Sequence, residues 1–157
     1  MAEATSPTTS PSPAVDVSGL VRSLGDAVVI SDADGRIVTW NPAAERIFGF
    51  SAAEAMGETL DLITPDRHRR RHWDGYAKTM RTGQTRYGTT LLRVPALHKD
   101  GHTLSIAFTV SLLHGADGEV SGIVALIRDE TERFEEERRL RRRVAELEEA
   151  LGTLVLA

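Results

Sequence analysis

Cysteine is absent from this 157-residue chain. That absence excludes structural disulfides, Cys-ligated zinc, iron–sulfur clusters, covalent c-type haem attachment and any thiol nucleophile. It suits the cytosol, where disulfides are rare, and by itself leaves the compartment open. Aromatic residues make up only 5% of the chain, and they do not form the interleaved stacking platforms of a single-strand nucleic-acid binder. Charge does not favour nucleic acid either, because nineteen Lys and Arg against twenty-three Asp and Glu leave a net charge of -4. No run reaches the roughly 18 apolar residues that a membrane-spanning helix needs. The opening MAEATSPTTSPSPAVDVSG lacks the basic-then-apolar order of a signal peptide. These absences predict a cytoplasmic protein with neither membrane nor nucleic acid among its partners. P-loop, nucleophile-elbow and paired-carboxylate signatures are missing as well, so the expectation is not an enzyme.

What is present fits one core with flanking segments. Residues 1–17 are rich in Ser, Thr, Pro and Ala and cannot offset their ordering entropy, so they predict a disordered leader. Residues 18–129 form the expected domain, and residues 130–157 a C-terminal helix. A short lead-in helix over Leu20–Leu24 precedes AVVISDADGRIVTW, whose alternation around Asp34-Gly35 predicts a hairpin with a type I′ turn. The DADG stretch lacks the rest of a calcium-loop pattern. Asn41-Pro42 opens a helix that ends at Gly49. Ser51, with Glu54 three residues on, caps a second helix that stops at Gly57. Residues 58–64 read as a turn, and Pro65-Asp66 starts a longer helix running to Thr82 before Gly83. On it Trp73, Tyr76, Ala77 and Met80 share one face, opposite Arg70, Arg71, Asp74, Lys78 and Arg81. Three strands follow, Tyr87–Leu97, Leu104–Leu113 and Gly122–Arg128, and Leu104, Ile106, Phe108, Val110 and Leu112 lie on one face of the middle one. The fold class is α+β, a five-stranded antiparallel sheet with helices over one face.

Beyond Glu130 the chain becomes densely charged. Leu140, Val144, Leu147, Leu151 and Leu154 step by 4, 3, 4 and 3, the seam of a coiled coil about two heptads long. An isolated helix of this kind is marginal, so the seam needs a partner. Parallel homodimerisation is the leading expectation, and packing back on its own domain the alternative.

The order of elements and several motifs resemble a PAS sensory domain over about residues 20 to 132. The resemblance rests on LGDAVVISDADGRIVTWNPAAERIFGFSAAEAMG, on Lys99-Asp100-Gly101, and on DGEVSGIVALIRDET ending in Asp129-x-Thr131 ahead of the coiled coil. It implies the PAS fold, with either a ligand or cofactor between sheet and helices or an empty core in a dimerisation or docking module. It also implies an input role toward kinases, cyclic-nucleotide enzymes or transcription factors. No effector segment is recognisable in the sequence, so the signal is expected to pass to a partner in trans, unless these residues were cut from a longer protein. Asp129 and Thr131 read as helix caps. The resemblance adds that they pass strand strain to the signalling helix.

Within this superfamily the missing cysteine removes the flavin photoadduct and the hydroxycinnamoyl chromophore. A non-covalent flavin is disfavoured by the few aromatics and the lack of a phosphate cradle. Haem b needs an imidazole on a stiff element, apolar walls and cations near its propionates. His72 lies at the edge of the Trp73–Tyr76–Met80 face, and Arg67, Arg69, Arg70 and Arg71 are close in sequence. A histidine there also reads as a hydrated surface residue, and the residues alone leave both readings open. The helix resembles the haem-binding helix of bacterial oxygen-sensor PAS domains, with His72 at the matching distance from Pro65. That implies His72 as proximal iron ligand, a diatomic gas (O2, CO or NO) or redox signal, and a pocket of Arg69, Trp73, Tyr76, Met80, Thr90, Leu92, Val94, Ile106, Phe108, Ile123 and Ala125. The oxygen-sensing relatives place an arginine where Leu92 falls, with Thr90 or Leu92 expected to face the iron. Arg93 would reach the pocket only through a one-residue bulge near Pro95. His68 and His72 lack the third ligand of a metalloprotease pair, and His98, His102 and His114 read as solvated turn residues.

Overall fold

The computed structural model describes residues 15–155 apart from residue 86, and side chains as far as residue 152. Most of the expected leader, residues 1–14, lies outside the described residues, but its last residue is helical. Helix α1 spans Val17–Ser23, three residues earlier than expected, because Asp16 caps it by accepting from the Gly19 N–H.

Strands β1 (Ala27–Asp32) and β2 (Ile37–Trp40) form the predicted hairpin. Its turn is not type I′: Asp34 has negative φ and only Gly35 is left-handed, at +76°. The Asp32 carboxylate explains the difference, since it accepts from the N–H groups of both Asp34 and Arg36 and closes a wider loop. A bulge between Ile30 and Ser31 absorbs the extra residue. Helix α2 (Pro42–Phe48) is capped by Asn41 and ended by left-handed Gly49. Helix α3 (Ala52–Ala55) carries the full Ser51–Glu54 capping box. A 3₁₀ turn at Leu60–Leu62 leads into helix α4 (Asp66–Thr82), which ends at left-handed Gly83 as expected.

Strand β3 (Leu92–Leu97) starts five residues later than predicted, the segment before it being bends around Gly88. Strands β4 (Thr103–His114) and β5 (Val120–Asp129) follow. All pairs are antiparallel, in the order β2-β1-β5-β4-β3. Helix α5 (Thr131–Val155) leaves the sheet directly after β5.

The core lies between the sheet and α2 and α3. Phe48, Ile37 and Val29 are its largest fully buried side chains. Around them gather Trp40, Ala43, Ala44, Ile63, Ala96, Leu104, Ile106 and Ile127. Asn41 is a hub whose reach local propensity does not explain. Its side chain accepts from Val28 N–H and Ala44 N–H and donates to the Val21 and Asp26 carbonyls. One buried amide thus ties α1, β1 and α2 together.

Candidate functional site

The candidate site is built on the face of α4 that carries His72, Trp73 and Tyr76. Tyr76 is buried, and its hydroxyl meets Ser31 Oγ at 2.9 Å and the Asp32 carbonyl. Trp73 donates from Nε1 to Asp61 at 2.8 Å. Its ring covers Gly35, where a Cβ would come within 2.3 Å of the indole. Both aromatic rings therefore anchor α4 to the tip of the β1–β2 hairpin. Ala77, expected on this face, is exposed, and Met80 is half-buried.

His72 packs edge-on to Trp73 at 5.0 Å and lies 6.0 Å from Tyr76. Its Nδ1 is buried and has no hydrogen-bond partner among the described residues. Burial pushes its pKa down, against the smaller opposing pull of the Asp61 charge. The ring is thus held neutral, the form that binds metals. An unpaired buried nitrogen is costly, and a ligand is one standard explanation for it.

Across from α4 lies the inner face of the sheet. The register pairs Leu92 with Phe108, Val94 with Ile106, Val110 with Ala125 and Leu112 with Ile123, so the expected wall residues do share one face. Ile106 and Ile123 are buried, Leu92, Phe108 and Ala125 half-buried, and Val94 is 38% exposed. This end of the apolar face is less completely covered than the Phe48 end.

Three expectations need correction. Thr90 is exposed in the bend before β3 and is not part of the strand. Arg69 is already engaged: it donates to the Thr64 and Asp61 carbonyls and pairs with Asp66 at 2.9 Å, which fastens the first turn of α4. The β3–β4 register runs unbroken from Leu92 to Leu97, so no bulge turns Arg93 inward. Arg93 is exposed and pairs with Glu130 at 3.0 Å. A cleft of about 450 Å³ lies elsewhere, between α1, β2 and α2, lined by Val21, Ile30, Trp40 and Glu45 among others.

The junction between β5 and α5 is held by a short chain of hydrogen bonds. Asp129 Oδ1 accepts from both the N–H and the hydroxyl of Thr131, and Thr131 Oγ1 accepts from Ser105 N–H. From Glu132 to Gly152 every residue of α5 is exposed, including Leu140, Val144, Leu147 and Leu151, so α5 does not fold back on the domain over this length. Leu154 lies outside the described side chains.

Sequence reasoning missed two groupings. Asp61 and Ser31, partners of Trp73 and Tyr76, come from distant segments with no local signal. His98, Asp100 and His102 gather at the β3–β4 turn with their ligand atoms within 4.8 Å of one another. The His-Lys-Asp-Gly-His spacing was the available signal.

Comparison with known proteins bears on the whole arrangement. The family profile described as PAS fold matches residues 16–129. An uncharacterised protein of Azorhizobium caulinodans is 34% identical over 118 residues, 74% of this chain and 16% of that protein. The sensor protein FixL of Bradyrhizobium diazoefficiens is 30% identical over 130 residues, 82% of this chain and 25% of its own length. The oxygen sensor protein DosP of Escherichia coli is 28% identical over 110 residues, 70% of this chain and 13% of its own. The chain thus spans a quarter or less of these curated relatives. The crystal structure of a PAS domain from Colwellia psychrerythraea superposes with a TM-score of 0.64 at 23% identity, covering 73% of this chain and 94% of that one. No helix among the described residues is long and apolar enough to cross a membrane.

Proposed function

Because the chain belongs to the PAS-fold family, a family of sensory modules in signal transduction, we propose that it senses a diatomic gas or a redox change through haem b held by His72. The observation that carries this reading is the buried, unpartnered His72 Nδ1 on a neutral ring. Likeness to a protein named as an oxygen sensor supports it.

In this reading His72 would hold the haem iron through its imidazole. Trp73 and Tyr76, pinned to the hairpin by Asp61, Ser31 and Asp32, keep the imidazole from rotating. Met80, Leu92, Val94, Ile106, Phe108, Ile123 and Ala125 supply the apolar surface that excludes water. When bound, haem offers an iron position open to a small ligand or a one-electron couple. Arg93, held by Glu130 away from the inner face, gives a ligand there no hydrogen bond. That favours CO, NO or a redox signal at least as much as O2. The Asp129–Thr131–Ser105 contacts carry a change in the sheet to α5, whose exposed leucines pair with a second copy. A kinase or other effector receives the signal, whether on the same polypeptide or in trans.

A second reading is a cofactor-free dimerisation or docking module, and the engaged Arg69 favours it, since propionates would have to displace Asp66. Haem titration of the purified chain separates the two. The haem reading predicts an intense band near the blue edge of the visible that saturates at one haem per chain. A chain that stays colourless after haem supplementation overturns it.

A further inference from the structure

The β3–β4 turn carries a second constellation, independent of the haem reading. Gly101, at φ +94°, reverses the chain so that His98 and His102 stack with ring centroids 4.4 Å apart. Asp100 Oδ1 lies 3.0 Å from His98 Nδ1 and 2.5 Å from His102 Nδ1. All three ligand atoms fall within 4.8 Å of one another. Bonds of about 2.0–2.2 Å to a tetrahedral ion place its ligand atoms roughly 3.4 Å apart. Small movements of the exposed Asp100 and His102 side chains reach that spacing.

We propose that His98, Asp100 and His102 form a divalent-cation site of the two-histidine, one-carboxylate kind, taking Zn²⁺ or a similar borderline ion with water completing its shell. Three features point this way. The far edge of His98 packs on Gly49, where a Cβ would come within 2.6 Å of Cε1 and Nε2, so Nδ1 is the ring nitrogen turned toward Asp100, and an ion there would take its lone pair in place of the Asp100 N–H. The Asp100 N–H donates to the same Nδ1 at 3.2 Å, which makes it the lone-pair nitrogen. A lone pair on His98 then faces a carboxylate oxygen at hydrogen-bond distance, a juxtaposition that a cation resolves. Lys99, the neighbouring positive charge, is neutralised by Glu54 at 2.5 Å and does not repel an ion.

Imidazole with carboxylate selects zinc, nickel or copper over calcium or magnesium, which prefer all-oxygen shells. The ion would clamp the hairpin from one side, while Lys99 N–H bonded to the Phe48 carbonyl braces it against α2. Binding to the folded state alone raises stability.

Calorimetric titration of the untagged, haem-free full chain with Zn²⁺, and with Co²⁺ followed by its visible bands, tests the site. One ion per chain is expected, with a raised unfolding temperature. Asp100→Asn, which keeps the turn polar, and His102→Ala should each weaken Zn²⁺ at least about tenfold. His72→Ala should bind Zn²⁺ as the parent does. Failure of the parent to bind Zn²⁺, binding indifferent to both turn variants, or binding lost in His72→Ala overturns the proposal.

Discussion

Thr131 Oγ1 accepts a hydrogen bond from the backbone N–H of Ser105 at 2.9 Å, fastening the first residue of α5 to strand β4. The neighbouring Glu130 N–H donates to the Ser105 carbonyl at 2.8 Å, so both backbone groups of Ser105 are committed to the helix start. Pro95 lies opposite Ser105 on the β3 side, a pair that exchanges no backbone hydrogen bond and so tolerates proline. The strand therefore depends on the helix as much as the helix on the strand. Thr131→Val, which keeps the shape and removes the hydroxyl, should cost about 1 kcal/mol in urea unfolding. Thr131→Ser should retain most of the stability. Equal stability of parent and Thr131→Val would show that the junction is not held this way.

The α5 seam makes a second prediction. Leu140, Val144, Leu147 and Leu151 are each about half exposed in the single chain, an arrangement that a coiled-coil partner buries. Leu147→Glu combined with Leu151→Glu should convert a dimer to a monomer in light scattering. A mass unchanged by the double substitution refutes the pairing.

Asn41 tests the hub. It is 3% exposed and makes four hydrogen bonds to three segments. Losing a helix cap alone costs about 1 kcal/mol, and each buried group left unpaired adds about 1–3 kcal/mol. Asn41→Ala should accordingly lose about 3 kcal/mol or more in chemical denaturation, well beyond a simple cap. Asn41→Asp should fall between, since it keeps the acceptor and lacks the donors to Val21 and Asp26.

Much of this was legible in the residues, for reasons that are local. Asn41-Pro42, the Ser51–Glu54 box and Gly83 announce helix termini through their own backbone chemistry, and α2 and α3 begin, and α4 stops, where those caps stand. The hairpin tip was misread because the Asp32 side chain, not turn propensity, decides the loop. Strand β3 was overextended because residues 87–91 carry strand-like types, while their pairing depends on distant β4. On α4 the helical period placed Tyr76 correctly. It misplaced Ala77, since the packing of Trp73 on Gly35 and the Tyr76 bonds to Ser31 and Asp32 set how the helix is rolled. Arg69 looked free because its partners, Asp61, Thr64 and Asp66, surround it only once the 3₁₀ turn forms.

Acid sensitivity follows from Glu54. The Lys99 ammonium, helped by the Ser51 N–H and hydroxyl, holds its carboxyl down at about 2 against an ordinary 4.5. A carboxyl lowered in the folded state adds stability above its unfolded value and loses it as pH falls. The contribution is therefore complete above about pH 4.5 and fades toward pH 2. Urea midpoints of the parent and Glu54→Gln should differ at pH 7 and converge in acid. A gap that is constant with pH would contradict the pairing.

The most direct test of haem ligation by His72 is the absorption spectrum of the haem-supplemented full chain carrying His72→Gly, recorded with and without added imidazole. An intense haem band is expected in the parent, with its loss in His72→Gly and its return when free imidazole occupies the space the side chain left. A band of parental intensity and position in His72→Gly without imidazole would show that His72 is not the ligand.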